Sequence, residues 1–144
     1  MTDATERQEF RQHLRDERVP DDSVVVVRGG PTTLAKLAGH AQRTHAAYVL
    51  DGQPLWGVSV FCALDDIGPS SLEGLLRRFS SYRAVHLPRA GQLRDARFEL
   101  LPSFGRPHFT VRIMGDGPDE LSRLLDGLGA ARPNPYHGRR PGRR

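Results

Sequence analysis

The chain holds one cysteine, one lysine and one tryptophan in 144 residues. The lone thiol, Cys62, excludes an internal disulfide and predicts a reducing compartment, the cytoplasm. It also rules out zinc sites built on cysteine pairs. No run of about 18 apolar residues occurs, so no membrane span or membrane partner is expected. The first 18 residues are polar and lack the apolar stretch of a secretory signal. The six histidines, His13, His40, His45, His86, His108 and His137, include no i, i+4 pair to bind a metal from one helix face. No metal site is expected. Also lacking are a P-loop ending, a full Gly-x-Gly-x-x-Gly fingerprint, a Gly-x-Ser-x-Gly elbow, a zinc finger and a helix-turn-helix pattern.

Charge is unevenly distributed. The net charge is +4, and Lys36 stands against 20 arginines. Residues 132–144 contain five arginines and no acid, and the remainder carries 16 basic and 17 acidic residues. The basicity therefore belongs to the tail. Its Pro/Gly/Arg composition predicts disorder and either a solubilising role or a salt-dependent contact with nucleic acid.

What is present reads as one α+β domain: a central mixed, partly antiparallel sheet flanked by helices. Residues 1–20 read as a peripheral helical arm, with Phe10 and Leu14 at i, i+4. Residues 21–131 form the globular domain, and 132–144 the tail. The run Ser-Val-Val-Val-Val-Arg at 23–28 predicts a strand buried on both faces. Gly29, Gly30 and Pro31 end it, and Thr32 or Thr33 can cap a helix carrying Leu34, Leu37, Ala38, Ala41 and His45. Asp51 and Gly52 predict a turn, and 55–63 a second buried strand. Ser70 or Ser71 caps a helix with Leu72, Leu75, Leu76 and Phe79 on its core face. A short strand is expected at 84–87, a helical turn or two at 91–97, and strands at 98–101 and 108–114. In the last strand Phe109, Val111 and Ile113 alternate with His108, Thr110 and Arg112. Gly117, Pro118, Asp119 and Glu120 open a final helix bearing Leu121, Leu124, Leu125 and Leu128.

Candidate chemistry gathers at few places. Arg28, Gly29 and Gly30 lie between a strand and a helix start, where backbone amides, the helix dipole and a guanidinium fork suit an anion; an ordinary tight turn accounts for the same residues. Gly115-Asp116-Gly117 reads as a helix cap. Ser59 lies in Gly57-Val58-Ser59-Val60-Phe61, and Cys62 reads as a buried thiol. Arg106 and Pro107 can shape a hairpin loop, and His108 can be a solvated residue on a polar strand face.

Arg28 ending the first strand, Ser59 in the second and a polar-faced late strand together resemble bacterial toxins of the ADP-ribosyltransferase fold. The resemblance covers roughly residues 23–114 in order of elements. It implies NAD as substrate, with Arg28 on a phosphate or ribose, Gly29 beside it and Ser59 on the nicotinamide ribose. Arg106 and His108 would line the same cleft as catalytic groups, and Tyr48 or Trp56 would stack on the nicotinamide. In that family a glutamate of the late strand usually completes the site. Here His108, Thr110 and Arg112 occupy that face, and Glu99 lies one strand earlier. The resemblance further implies the toxin of a toxin–antitoxin or related conflict system, with a protein partner as antitoxin or target. The rival readings are a non-catalytic interaction protein and a nucleic-acid binder acting through residues 132–144.

Overall fold

Four consecutive valines have no polar face to show, so the strand they form must lie between layers. A computed structural model describes residues 7–10 and 18–139. Strand β1 is Gln8–Glu9 and β2 is Val25–Arg28; helix α1, Leu34–Ala47, leads to β3 (Tyr48–Leu50), β4 (Gln53–Pro54) and β5 (Gly57–Cys62). Helix α2 (Leu72–Arg78), β6 (Ala84–His86), α3 (Ala90–Asp95), β7 (Glu99–Pro102), β8 (His108–Arg112), α4 (Pro118–Leu128) and β9 (Ala131–Pro133) complete the order. The α+β class expected from the sequence is what forms.

Six strands make the main sheet in the order β7-β8-β5-β2-β6-β9, and every neighbouring pair is antiparallel. The strands β1 and β3 pair in parallel within a three-stranded side sheet. Alternation along β2 splits its valines between two cores. Val25 and Val27 join Val58, Val60 and Val111 against Leu37 and Ala41 of α1, Leu93 of α3 and Leu121, Leu124 and Leu128 of α4. Val26 joins Phe61 and Val85 against Leu75, Leu76 and Phe79 on the α2 side. Each such Leu or Phe contributes about 1.5–3 kcal/mol on full burial. The caps fall on Thr33 for α1, which accepts from the Lys36 N–H, and on Ser71 for α2, which accepts from the Gly74 N–H. Among the described residues no helix is long and apolar enough to cross a membrane.

Two expectations need correction. The helical arm expected over residues 1–20 fails at Gln8–Glu9, which pair in parallel with Tyr48 and Val49, and Phe10 is buried. The hairpin β3–β4, turned by Asp51 and Gly52 with positive φ, offers an open edge that extended chain can satisfy. Leu14 and most of the arm lie outside the described residues. The tail is also misread at its start. Residues 131–133 pair with β6, and Asn134 is buried. Its side-chain amide donates to the carbonyls of Leu76 and Phe79, both at 3.0 Å, and its Oδ1 accepts from the Tyr136 N–H. Those carbonyls sit at the end of α2, where Phe79 also accepts from the Tyr82 N–H at 2.9 Å and Asn134 supplies the donor to Leu76. Composition flagged the arginines but not this one capping amide.

Asn134→Ala is expected to leave the Leu76 carbonyl without its side-chain donor, while Phe79 keeps the Tyr82 N–H, and to lower stability by about 1–3 kcal/mol. Chemical denaturation with unchanged m-value checks it; an unchanged midpoint would show that Asn134 caps nothing of consequence.

Candidate functional site

The β2–β5 ladder is short. Val25 pairs with Cys62 and Val26 with Phe61, and there it stops, while β5 stays paired to β8 from Gly57 to Phe61. Continuing the register would set Arg28 opposite Ser59. Instead β2 leans toward β6, pairing Val27 with His86 and Arg28 with Val85. The gap so opened is a cleft of about 470 Å³, bounded by the end of β2, the start of β5 and helix α1. That size suits a small organic ligand.

Its wall begins with the turn after β2. Gly29 has φ +82°, a conformation costly for any other residue. A Cβ on Gly30 would lie 3.3 Å from both His86 Nε2 and the Ala131 side chain, so the backbone approaches closely there. His86, 3 % exposed, fixes this turn. Its Nε2 accepts from the Thr32 N–H at 3.2 Å, and its Nδ1 donates to the Gly129 carbonyl at 2.9 Å. Both bonds together require the neutral Nδ1–H form.

The opposite wall comes from α1. Leu37 and Ala41 go to the core, and Lys36, His40 and Arg43, at i, i+4, i+7, turn to the cleft. Arg28 completes the cationic set. Its guanidinium carbon stands 5.4 Å from the Phe61 ring centroid and 5.9 Å from that of Phe79. Arg78 of α2 lies over the same two rings, at 5.1 and 5.6 Å. Among the described residues no carboxylate lines the cleft or pairs with Arg28 or Arg78. Burial, reinforced by the guanidiniums of Arg43 and Arg28, holds the His40 imidazole below its ordinary value. Like charges gathered without an internal counter-ion favour an anionic ligand.

Ser59 opens on the cleft from β5, and the Tyr82 ring lies beside Gly29. Behind Ser59 stands His108, whose Nε2 is 2.5 Å from Ser59 Oγ. Arg28, Gly29 and Ser59 thus line one cleft. His108 adjoins it through Ser59 rather than lining it. Arg106 and Tyr48 do not line it. Arg106 forms a two-pronged pair with Asp65 at 2.9 and 3.0 Å, and that hydrogen bonding holds the Asp65 carboxyl below the usual carboxylate value. Tyr48 packs with Phe10 and Phe104, and Trp56 stacks on His45 at 3.9 Å. Glu99 faces Arg112 at 3.7 Å on the outer strands. A larger hollow of about 550 Å³ lies between α3 and α4, but Asp95 and Asp126 sit there with Arg123 and Arg132, so its charges already balance. Among the described residues no three His, Cys, Asp or Glu side chains gather as a metal site.

Sequence reasoning missed Lys36, His40, Arg43, Arg78, Tyr82 and His86. The first three were detectable as a cationic stripe flanking the Leu37–Ala41 stripe of one helix. In comparisons with known proteins, no family model, no curated protein and no solved structure matches the chain.

The depressed His40 gives a pH test. The unfolded chain takes up this proton first, so stability falls as pH drops through the ordinary histidine value toward the folded one. An anion in the cleft raises the folded value again. Millimolar sulfate, which does not titrate here, is therefore expected to stabilise the protein more at pH ~5.5 than at pH ~7.5. Thermal unfolding reads this, and His40→Gln should remove the difference; a difference that survives the substitution places the effect elsewhere.

Proposed function

We propose that the cleft binds NAD, and that the protein transfers its ADP-ribose. The observation that carries the reading is the convergence of Arg28 and Ser59 on one cleft with Lys36, His40 and Arg43. A dinucleotide needs cations and backbone amides for its diphosphate, hydroxyl partners for its riboses and a flat surface for a ring. Arg28 offers a bidentate fork, Lys36 and Arg43 further positive charge, and the Gly29–Gly30 turn close backbone approach. Ser59 offers a hydroxyl and Tyr82 a ring. In this reading the protein is the toxin of a bacterial toxin–antitoxin or related conflict system, with a protein antitoxin or target.

ADP-ribosyl transfer breaks the bond between the ribose C1′ and the nicotinamide nitrogen, with positive charge building on the sugar. The diphosphate, held by the cationic wall, keeps its own negative charge near that centre. Proton removal from the attacking group falls to the Ser59–His108 pair, since among the described residues no carboxylate lines the cleft.

Thermal unfolding with and without NAD tests the reading. At about 100 times its dissociation constant a ligand adds ~2.7 kcal/mol, a rise of several degrees at this size. The rise should vanish in Arg28→Ala, whose own melting temperature should stay within a few degrees of the parent because the side chain is exposed. No rise at millimolar NAD removes the reading and directs attention to a non-catalytic role with a protein partner. A nucleic-acid role for the arginines would have to be tested by truncation after Arg139, since Asn134 is part of the fold.

A further inference from the structure

The polar chain behind Ser59 does more than present a hydroxyl to a ligand. His108 Nδ1 lies 2.6 Å from Ser103 Oγ, and Ser103 Oγ lies 3.0 Å from Thr110 Oγ1. Ser103 is 0 % exposed and Thr110 3 %. The imidazole packs edge-on against Phe61, with centroids 5.0 Å apart, and against Phe104 at 5.1 Å. Its plane is thereby held while both ring nitrogens face hydroxyls. When Nδ1–H donates to Ser103, Nε2 presents its lone pair to the Ser59 hydroxyl. Nucleophile, base and orienting group then stand in hydrogen-bonded sequence, the arrangement that activates a serine. Of the three, Ser59 is the one that lines the cationic cleft.

We propose that Ser59 is a nucleophile, with His108 its general base and Ser103 the residue that positions that base. The proposal rests on the NAD reading for the identity of the electrophile, the ribose C1′. Ser59 Oγ bonds to C1′ as the bond from C1′ to the nicotinamide nitrogen breaks. The bonding pair leaves with that nitrogen and neutralises the pyridinium, and the serine proton passes to His108 Nε2. An acceptor hydroxyl or water then displaces Ser59 from C1′. His108 returns a proton to the departing Ser59 Oγ and receives the acceptor's proton. Two displacements replace one, and the cleft's lack of a carboxylate, among the described residues, is met by covalent attachment.

Intact-mass spectrometry of the full chain, with a fluorophosphonate and with NAD as separate probes, tests this. One fluorophosphonate is expected per chain, mapped to Ser59 and lost in Ser59→Ala. The labelling rate should fall about 10²-fold or more in His108→Gln. Ser103→Ala should slow labelling while leaving the NAD-dependent thermal shift in place, and Ser103→Thr should restore the rate. If His108→Gln shows no cooperative melting, the Ser103 pair decides in its stead. Absent labelling, labelling spread over several serines, or an unchanged rate in both His108→Gln and Ser103→Ala overturns the nucleophile. A thermal shift with NAD but no Ser59 label leaves NAD binding standing without it. A Ser59 label with neither shift nor adduct from NAD keeps the nucleophile and removes NAD as its substrate.

Discussion

Strand β2 is buried on both faces and paired on both edges, and its one release from this confinement creates the cleft. Up to Val27 each side chain is committed to one of two cores. At Arg28 the strand has lost β5 as a partner and carries a charge that neither core can hold. The β2–β5 ladder has already ended at Val26, and Arg28 lies at the opening that follows. Helix α1 must start close by, because only Gly29 to Thr33 separates it from β2. A cationic helix face is thus carried to the opening by chain connectivity.

The electrostatics follow from that placement. The chain without its last 13 residues is close to neutral, so no general field draws anions to it. The positive character is local: Arg28, Lys36 and Arg43 line an opening that no acid lines among the described residues, and Arg78 shares the Phe61 and Phe79 rings with Arg28. Some arginines elsewhere have acidic partners, as Arg94 has Asp21 and Arg106 has Asp65. Exposed pairs of that kind contribute little stability. What sets the cleft apart is that Arg28, Lys36 and Arg43 gather on one opening.

Much of this was legible in the sequence, for identifiable reasons. The valine run, the Leu72–Phe79 stripe and the Pro118 helix start are local signals, and each formed its element where expected. Arg28 and Ser59 were legible because each closes or interrupts an apolar strand. Their meeting was not, since it depends on how far the β2–β5 ladder extends. Ser103 lay in a loop of proline and glycine, and its contact with His108 depends on the β7–β8 turn bringing residues five apart face to face. His86 and Asn134 were illegible for a related reason. Each is a single buried polar side chain serving backbone groups far away in sequence, Thr32 and Gly129 for one, Leu76 and Phe79 for the other. Arg106 and Tyr48, expected at the cleft as a lining group and a stacking ring, are taken elsewhere by tertiary pairing, Arg106 to Asp65 and Tyr48 to Phe10 and Phe104.

The two outer strands of the main sheet, β7 and β9, both end on proline, at Pro102 and Pro133. Proline donates no hydrogen bond, so neither border can continue a ladder cleanly into another chain. Exposed Glu99 and Arg132 put a charge on each border as well. A sheet this rich in valine is a ready template for fibrils if its rims are bare. Here a terminal proline and an exposed charge on each rim disfavour strand addition.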